Sequence, residues 1–276
     1  MAAAAAGRVL VVTSGKGGVG KTTSTAALGA AFAQSGDRVA VIDFDIGLRN
    51  LDLVLGAERR VVFDLVSVIQ GVAKLPQALI RDRRLENLYL LPASQTRDKD
   101  ALTESGVADV IADLRTTFDW IICDSPAGIE RGATLAMRYA DVAIVVTNPE
   151  VSSVRDSDRI IGLLDSRTER AERGDGIDKH LLITRYQAAR AARGEMLAID
   201  DVLEILAIPL IGIIPESDEV RRASNVGSPV TLNKAASAPA LAYRDVMRRL
   251  KGEAVPMVMP GESRGLFNRL FGRKAA

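Results

Sequence analysis

The chain is poor in the residues that carry most compact-site chemistry. It has one cysteine and one histidine in 276 residues. A single cysteine excludes an intramolecular disulfide and any site needing two thiolates from one chain. Cys123 ends the apolar run Trp120-Ile-Ile-Cys and reads as a buried structural thiol. His180 opens another apolar run, and no role is read for it. Aromatic residues make up only 4% of a chain that is 47% hydrophobic, so Ala, Val, Leu and Ile must fill the core. Formal net charge is +1, which makes no general case for nucleic acid. No apolar stretch approaches the roughly 20 residues needed to span a bilayer. The Met-Ala₅ start lacks the charge and length of a secretory leader. Together these absences predict a soluble cytoplasmic protein unless something tethers it.

What is present is concentrated in one loop. Residues 14 to 23 read Ser-Gly-Lys-Gly-Gly-Val-Gly-Lys-Thr-Thr and contain the phosphate-binding pattern Gly15-x-x-x-x-Gly20-Lys21-Thr22. Gly15, Gly17, Gly18 and Gly20 let the chain curl so that successive N–H groups, through Val19 to Thr22 and Thr23, face the phosphates. The following helix adds its positive end. Lys21 is placed between the β- and γ-phosphates, and the Thr22 hydroxyl on Mg²⁺. The context fits: Arg8–Thr13 reads as a buried strand and Lys21–Gln34 as an Ala-rich helix.

Lys16 is surplus to this pattern. A loop lysine is most often a solvated charge, but this one lies within a few ångströms of several phosphate charges. Its loop curls around the phosphate, so its side chain should point out of the cradle, toward a phosphate on a second subunit. That is a lysine counterpart of an arginine finger acting in trans, and it requires a dimer with two nucleotides at the interface.

Continuous apolar runs at Val9–Thr13, Val39–Asp43, Leu88–Leu91, Trp120–Cys123, Val142–Thr147, Leu181–Thr184 and Leu210–Ile214 alternate with helical segments. Pro229-Val-Thr-Leu is a candidate for one more short segment. The alternation predicts an α/β fold, a mostly parallel twisted sheet with helices on both faces. Ligands of such folds bind at the carboxyl ends of the strands. The phosphate loop, Asp43 and Asp45, Asp124, and Asn148 all fall at such ends. Asp43 and Asp124 are candidates to hold the waters of a magnesium ion directly bound by Thr22, with a helix cap or turn role as the alternative for either. Asp45, two residues past a strand in a loop with Gly47, is the candidate to orient the attacking water. By fold analogy the base pocket lies near Arg185, Pro215 and Glu216. Asn148 to Asp158 starts a helix near the presumed dimer face, where Glu150, Asp156 and Asp158 are candidates to touch a second subunit or another protein; solvated helix charges fit Asp156 and Asp158 equally well.

The stretch Lys16-Gly-Gly-Val-Gly-Lys-Thr22 resembles the deviant Walker A motif of the MinD/ParA class of P-loop ATPases. Further blocks narrow the resemblance to the branch of that class that selects cell-division sites. They are Val41-Ile-Asp-Phe-Asp-Ile-Gly-Leu-Arg-Asn-Leu-Asp52, Pro92-Ala-Ser-Gln-Thr-Arg-Asp-Lys-Asp100, Cys123-Asp-Ser-Pro-Ala-Gly128 and Thr147-Asn-Pro-Glu-Val-Ser-Ser-Val-Arg-Asp-Ser-Asp158. The similarity runs from about residue 8 into the C-terminal tail. It implies an ATP-driven sandwich homodimer that binds membrane, with Lys16 crossing to the partner's nucleotide. It implies that Asp45 belongs to the first switch and Asp124–Gly128 to the second, where the Gly128 N–H meets the γ-phosphate. It implies two protein partners: a division inhibitor, MinC, recruited by the dimer, and a topological factor, MinE, that stimulates slow basal hydrolysis. Within the same class, a flagellar-number regulator and a ParA-type partition ATPase are the alternatives. The density of matching blocks disfavours the first, and the near-neutral charge disfavours the second.

The last residues form a separate unit. The chain divides into residues 1–251 as the ATPase domain, 252–263 as a Pro/Gly-rich flexible linker and 264–276 as an amphipathic helix. As a random coil the linker spans roughly 20 Å. At 100° per residue, Leu266, Phe267, Leu270 and Phe271 fall within an arc of about 140°. Arg264, Arg269 and Arg273 lie opposite, and Lys274 can snorkel from the end. Residues 264–276 hold four basic and no acidic side chains, leaving 32 basic against 35 acidic elsewhere. This is a helix suited to an anionic membrane surface. Partial insertion of the four apolar side chains supplies roughly 4–8 kcal/mol. Ordering about ten residues costs a comparable amount. One tail should therefore bind weakly, and two on a dimer should gain about 10²-fold through effective concentration.

Overall fold

A computed structural model describes residues 6–95, 101–233 and 237–259. Among the described residues eight strands form one sheet: β1 (Arg8–Thr13), β2 (Val39–Asp43), β3 (Ile80–Arg81), β4 (Leu88–Leu91), β5 (Trp120–Asp124), β6 (Val142–Thr147), β7 (Asp178–Tyr186) and β8 (Leu210–Pro215). Their spatial order is β3-β4-β2-β5-β1-β6-β7-β8, parallel except for the pairing of β3 with β4. The seven apolar runs are the seven parallel strands. The eighth, β3, is two residues long and antiparallel, too short to carry a readable apolar pattern. Pro229-Val-Thr-Leu supplies no strand, because Val230–Leu232 forms a 3₁₀ turn.

Each central strand feeds two cores, because successive side chains point to opposite faces. Val9 and Val11 of β1 join one core, and Leu10 and Val12 the other. In β5, Ile121 and Cys123 face the first and Trp120 and Ile122 the second. The strands therefore read as unbroken apolar runs. The first face is covered by helices Glu104–Arg115, Arg131–Arg138, Val151–Arg167 and Ile199–Leu206. The second is covered by Lys21–Gln34, here α1, together with Ala238–Leu250. The few aromatics are spent where volume is needed. Phe32 of α1 stacks on Trp120 at 4.4 Å between ring centroids, and Tyr243 is fully buried with its hydroxyl 3.0 Å from Ser24 Oγ. Cys123 is buried, and burial pushes its thiol up to about 12.

After Leu250 the chain has no regular structure as far as Met259. Arg249 fastens the start of this stretch, donating from Nε to Val255 O and from Nη2 to Pro256 O, and from Nη1 to Ile211 O on β8. Met259 packs at the margin of the first core. The expected membrane residues, Leu266, Phe267, Arg269, Leu270, Phe271, Arg273 and Lys274, lie outside the described residues. Among the described residues no helix is long and apolar enough to cross a membrane.

Candidate functional site

The loop between β1 and α1 sits at the carboxyl end of the sheet's centre. Gly20 ends it at φ 101°, a left-handed conformation that L side chains resist, and serves as the N-cap of α1. From there α1 begins at Lys21, whose side chain turns back into the loop. Its Nζ donates to Ser14 Oγ (2.8 Å) and contacts the Lys16 carbonyl (3.4 Å). Ser14 Oγ in turn donates to the same carbonyl at 2.7 Å. Burial lowers the Lys21 pKa, while Asp124 and Asp45 pull it back up. A buried ammonium at the start of a helix, within a glycine-rich loop, is suited to an anion.

Two carboxylates form the floor. Asp43 and Asp124 end adjacent strands and are direct partners in the β2–β5 register. Both are almost fully buried, and both titrate high. Burial and the neighbouring Asp124 carry Asp43 to about 8. Burial also raises Asp124 to about 7, against hydrogen bonds from Thr22 and Thr25 and the charge of Lys21. Two buried like charges repel, so this pair is prepared for a cation. With the Thr22 hydroxyl on Asp124 the donor set is all oxygen, the kind Mg²⁺ takes, with water and phosphate completing its shell. Asp43 also takes the cap and turn role that a strand-end aspartate leaves open. Its Oδ1 accepts from Asp45 N (2.9 Å), and its Oδ2 from Asn50 N (3.2 Å) and Leu51 N (3.1 Å). It thus shapes the loop that presents Asp45.

Above the floor opens a cleft of about 950 Å³, lined by Gly17, Lys21, Thr22, Asp45, Ser125 and Arg185 among others. A second cavity of about 400 Å³ continues from it past Val19, Gly20 and Thr23 to Arg185, Pro215 and Glu216. The three residues chosen for the base pocket therefore line one cavity that joins the phosphate loop. Sequence reasoning missed its other wall, Ser224 and Asn225; a Ser-Asn-Val-Gly turn was the available signal. It also missed a strut beneath the loop, where Thr184 Oγ1 donates to Val19 O (2.6 Å) and lies 2.9 Å from Asn148 Oδ1.

Lys16 leaves the cradle. Its Nζ contacts Glu150 Oε2 at 3.3 Å and Ser152 Oγ at 3.0 Å, both at the start of the helix Val151–Arg167, and its side chain is 41% exposed. Asp156 is half-buried on that helix, and Asp158 is exposed. Gly128 lies beside the loop. Its N–H donates to Ser14 O at 3.1 Å, since a backbone donor beside the loop takes the nearest acceptor.

A strand, a glycine-closed loop, a helix carrying a buried lysine, and paired strand-end carboxylates define a P-loop nucleoside triphosphatase. Residues 10–230 match the family described as the CobQ/CobB/MinD/ParA nucleotide binding domain. The septum site-determining protein MinD of Escherichia coli (strain K12) is 61% identical over 268 residues, spanning 96% of this chain and 99% of that protein. A solved MinC:MinD cell division protein complex from Aquifex aeolicus is similar with a TM-score of 0.82 at 41% identity, covering 91% of this chain and 98% of that one. The septum site-determining protein MinD from Pyrococcus horikoshii, solved with Mg-ADP, has a TM-score of 0.77 at 31% identity, covering 88% and 95%. The chain belongs to this family, on its MinD branch of septum site-determining ATPases.

Proposed function

We propose that this chain hydrolyses Mg-ATP slowly as a homodimer, that the dimer rather than the monomer holds an anionic membrane, and that it there recruits the division inhibitor MinC until MinE stimulates hydrolysis and releases it. The protein would then be cytoplasmic when monomeric and peripheral on the inner face of the cell membrane when dimeric. One observation carries the reading. The loop holds two lysines, and only Lys21 turns inward; Lys16 stands on the rim, its charge met by an exposed glutamate. An exposed ion pair of this kind is worth about 0–1 kcal/mol, so a phosphate on a second subunit can displace it.

In this reading Thr22, with Asp43 and Asp124 through water, holds the magnesium, which neutralises charge developing on the phosphates. Lys21 binds between the β- and γ-phosphates, and Asp45 orients the attacking water. Arg185, Pro215 and Glu216 bound the base. Glu150, Asp156 and Asp158 border the face where the second subunit or MinC meets the helix Val151–Arg167. The residues Leu266 to Lys274 supply the membrane contact. Coupling of location to nucleotide follows because only a dimer brings two weak tails to one surface.

Light scattering and phosphate release on Lys16→Ala test the reading. The variant should bind ATP as a monomer, fail to dimerise and lose at least tenfold in turnover, on the scale of fingers acting in trans. Unchanged turnover would remove the trans role. Co-sedimentation with anionic liposomes should require ATP rather than ADP, and should be lost from a chain ending at Gly261.

A further inference from the structure

The cleft has two walls drawn from distant parts of the chain. One is Leu53–Glu58, which follows the loop carrying Asp45 and Asn50; the other is Ser224–Gly227. They meet backbone to backbone. A β-carbon at Gly56 would lie 2.8 Å from Gly227 O, and one at Gly227 would lie 2.6 Å from Gly56 Cα. Both glycines also have positive φ, 65° and 64°. No side chain fits between the walls, so whatever fixes their spacing must reach them from the side.

Arg84 does so from the turn between β3 and β4. Its Nη1 donates to Gly227 O at 2.8 Å, and its Nη2 to Leu55 O at 2.8 Å. Its Nε and Nη2 also donate to the Asp82 carboxylate at 3.3 and 2.8 Å. Asp82 is itself held, accepting from Arg84 N (2.7 Å) and Leu85 N (3.1 Å), and is only 9% exposed. The guanidinium is therefore fixed in direction and spans carbonyls that lie 143 and 29 residues away in sequence. A planar fork with donors on three sides suits this task, and a single ammonium does not.

We propose that Arg84 is a positioning residue for nucleotide binding: by joining Leu55 O to Gly227 O it sets the width of the cleft at its base end. Ser224 and Asn225, just before Gly227, line both cavities, so a displaced Gly227 carries the base wall with it. The proposal rests on the base occupying the cavity beside Arg185 and Pro215. Groups that bind ground state and transition state alike move KM and leave kcat.

The test is steady-state phosphate release by the full chain over a range of Mg-ATP, with Mg-tripolyphosphate as a competitor that has no base. Arg84→Ala should raise KM for ATP about tenfold and leave kcat within twofold, the scale of lost charge-assisted hydrogen bonds. The inhibition constant of tripolyphosphate should not move. Arg84→Lys should recover little of the KM. Asn225→Ala, which alters the base wall directly, should also raise KM. If Asn225→Ala raises KM and Arg84→Ala does not, Arg84 is no positioning residue and the base site stands. If neither raises it, the base site is misplaced and the proposal falls with it. A fall in kcat at constant KM, an equal loss of tripolyphosphate, or full recovery in Arg84→Lys would each overturn the proposal. Should Arg84→Ala not fold, Asp82→Asn frees the guanidinium at constant size; KM should rise about threefold, and an unchanged KM would be decisive against the proposal.

Discussion

The floor of the cleft and its walls are held by different means. The floor is made of buried charge: Asp43 and Asp124 end adjacent strands where parallel register pairs them, Lys21 opens α1, and each is almost out of reach of water. The walls are helix ends and the turns that follow them. Leu53–Glu58 and Ser224–Gly227 touch at two glycines and are bridged by one arginine that is 37% exposed. The outer rim is looser still, with Lys16 and Glu150 paired in the open. A rigid floor suits a metal and phosphates, whose geometry is demanding. Walls that depend on a few hydrogen bonds can adjust as nucleotide and partner arrive.

The comparison breaks most readily at the floor. Lys21→Ala removes a buried cation that faces Asp124 and Asp45, and should weaken ATP binding at least a hundredfold by calorimetry, roughly the worth of a desolvated charge–phosphate contact. A loss below tenfold would mean that the backbone, not the lysine, carries the affinity.

A smaller effect is expected in the walls, and it depends on pH. Burial pushes the Asp82 carboxyl up, but the Arg84 hydrogen bonds and charge outweigh it and hold the group below its ordinary 3.8. A depressed carboxylate binds fewer protons folded than unfolded, so its stabilisation is present above 3.8 and is lost as pH falls through the folded value. Asp82→Asn should therefore flatten the acid limb of a stability–pH curve and leave the neutral region closer to wild type in slope. An acid limb of unchanged steepness would show that Arg84 is not held by charge.

The smallest effect belongs to the rim. Glu150→Ala should change unfolding free energy by less than about 1 kcal/mol in denaturant titration, because both partners are solvated. A larger loss would make the rim part of the rigid floor and end the contrast.

Much of this is legible in the sequence. Lys21–Gln34 is a helix over the predicted residues, and seven apolar runs are seven strands. The phosphate loop and Asp45 line one cleft, and Asp43 and Asp124 pair across adjacent strand ends. Other features were not legible. β3 is too short for periodicity. Asp43 as the organiser of the loop to Leu51 was only half legible, one of two open roles, because a strand-end aspartate looks the same whether it faces a metal or caps a turn. Arg84 sits in a charged turn, Arg81-Asp-Arg-Arg84, that reads as solvated surface; only the fold shows which guanidinium is fixed.

By itself the sequence determined the phosphate loop, the parallel sheet and the presence of a surplus lysine. Those features are local, since glycines at set spacing and unbroken apolar runs constrain backbone over a few residues. The tertiary structure decided the partners: that Asp43 faces Asp124, that Lys16 rests on Glu150, that Gly128 donates to Ser14, and that Arg84 closes the two walls. Such contacts join residues far apart in the chain. Their geometry comes from strand register and helix packing, which no short stretch of sequence contains.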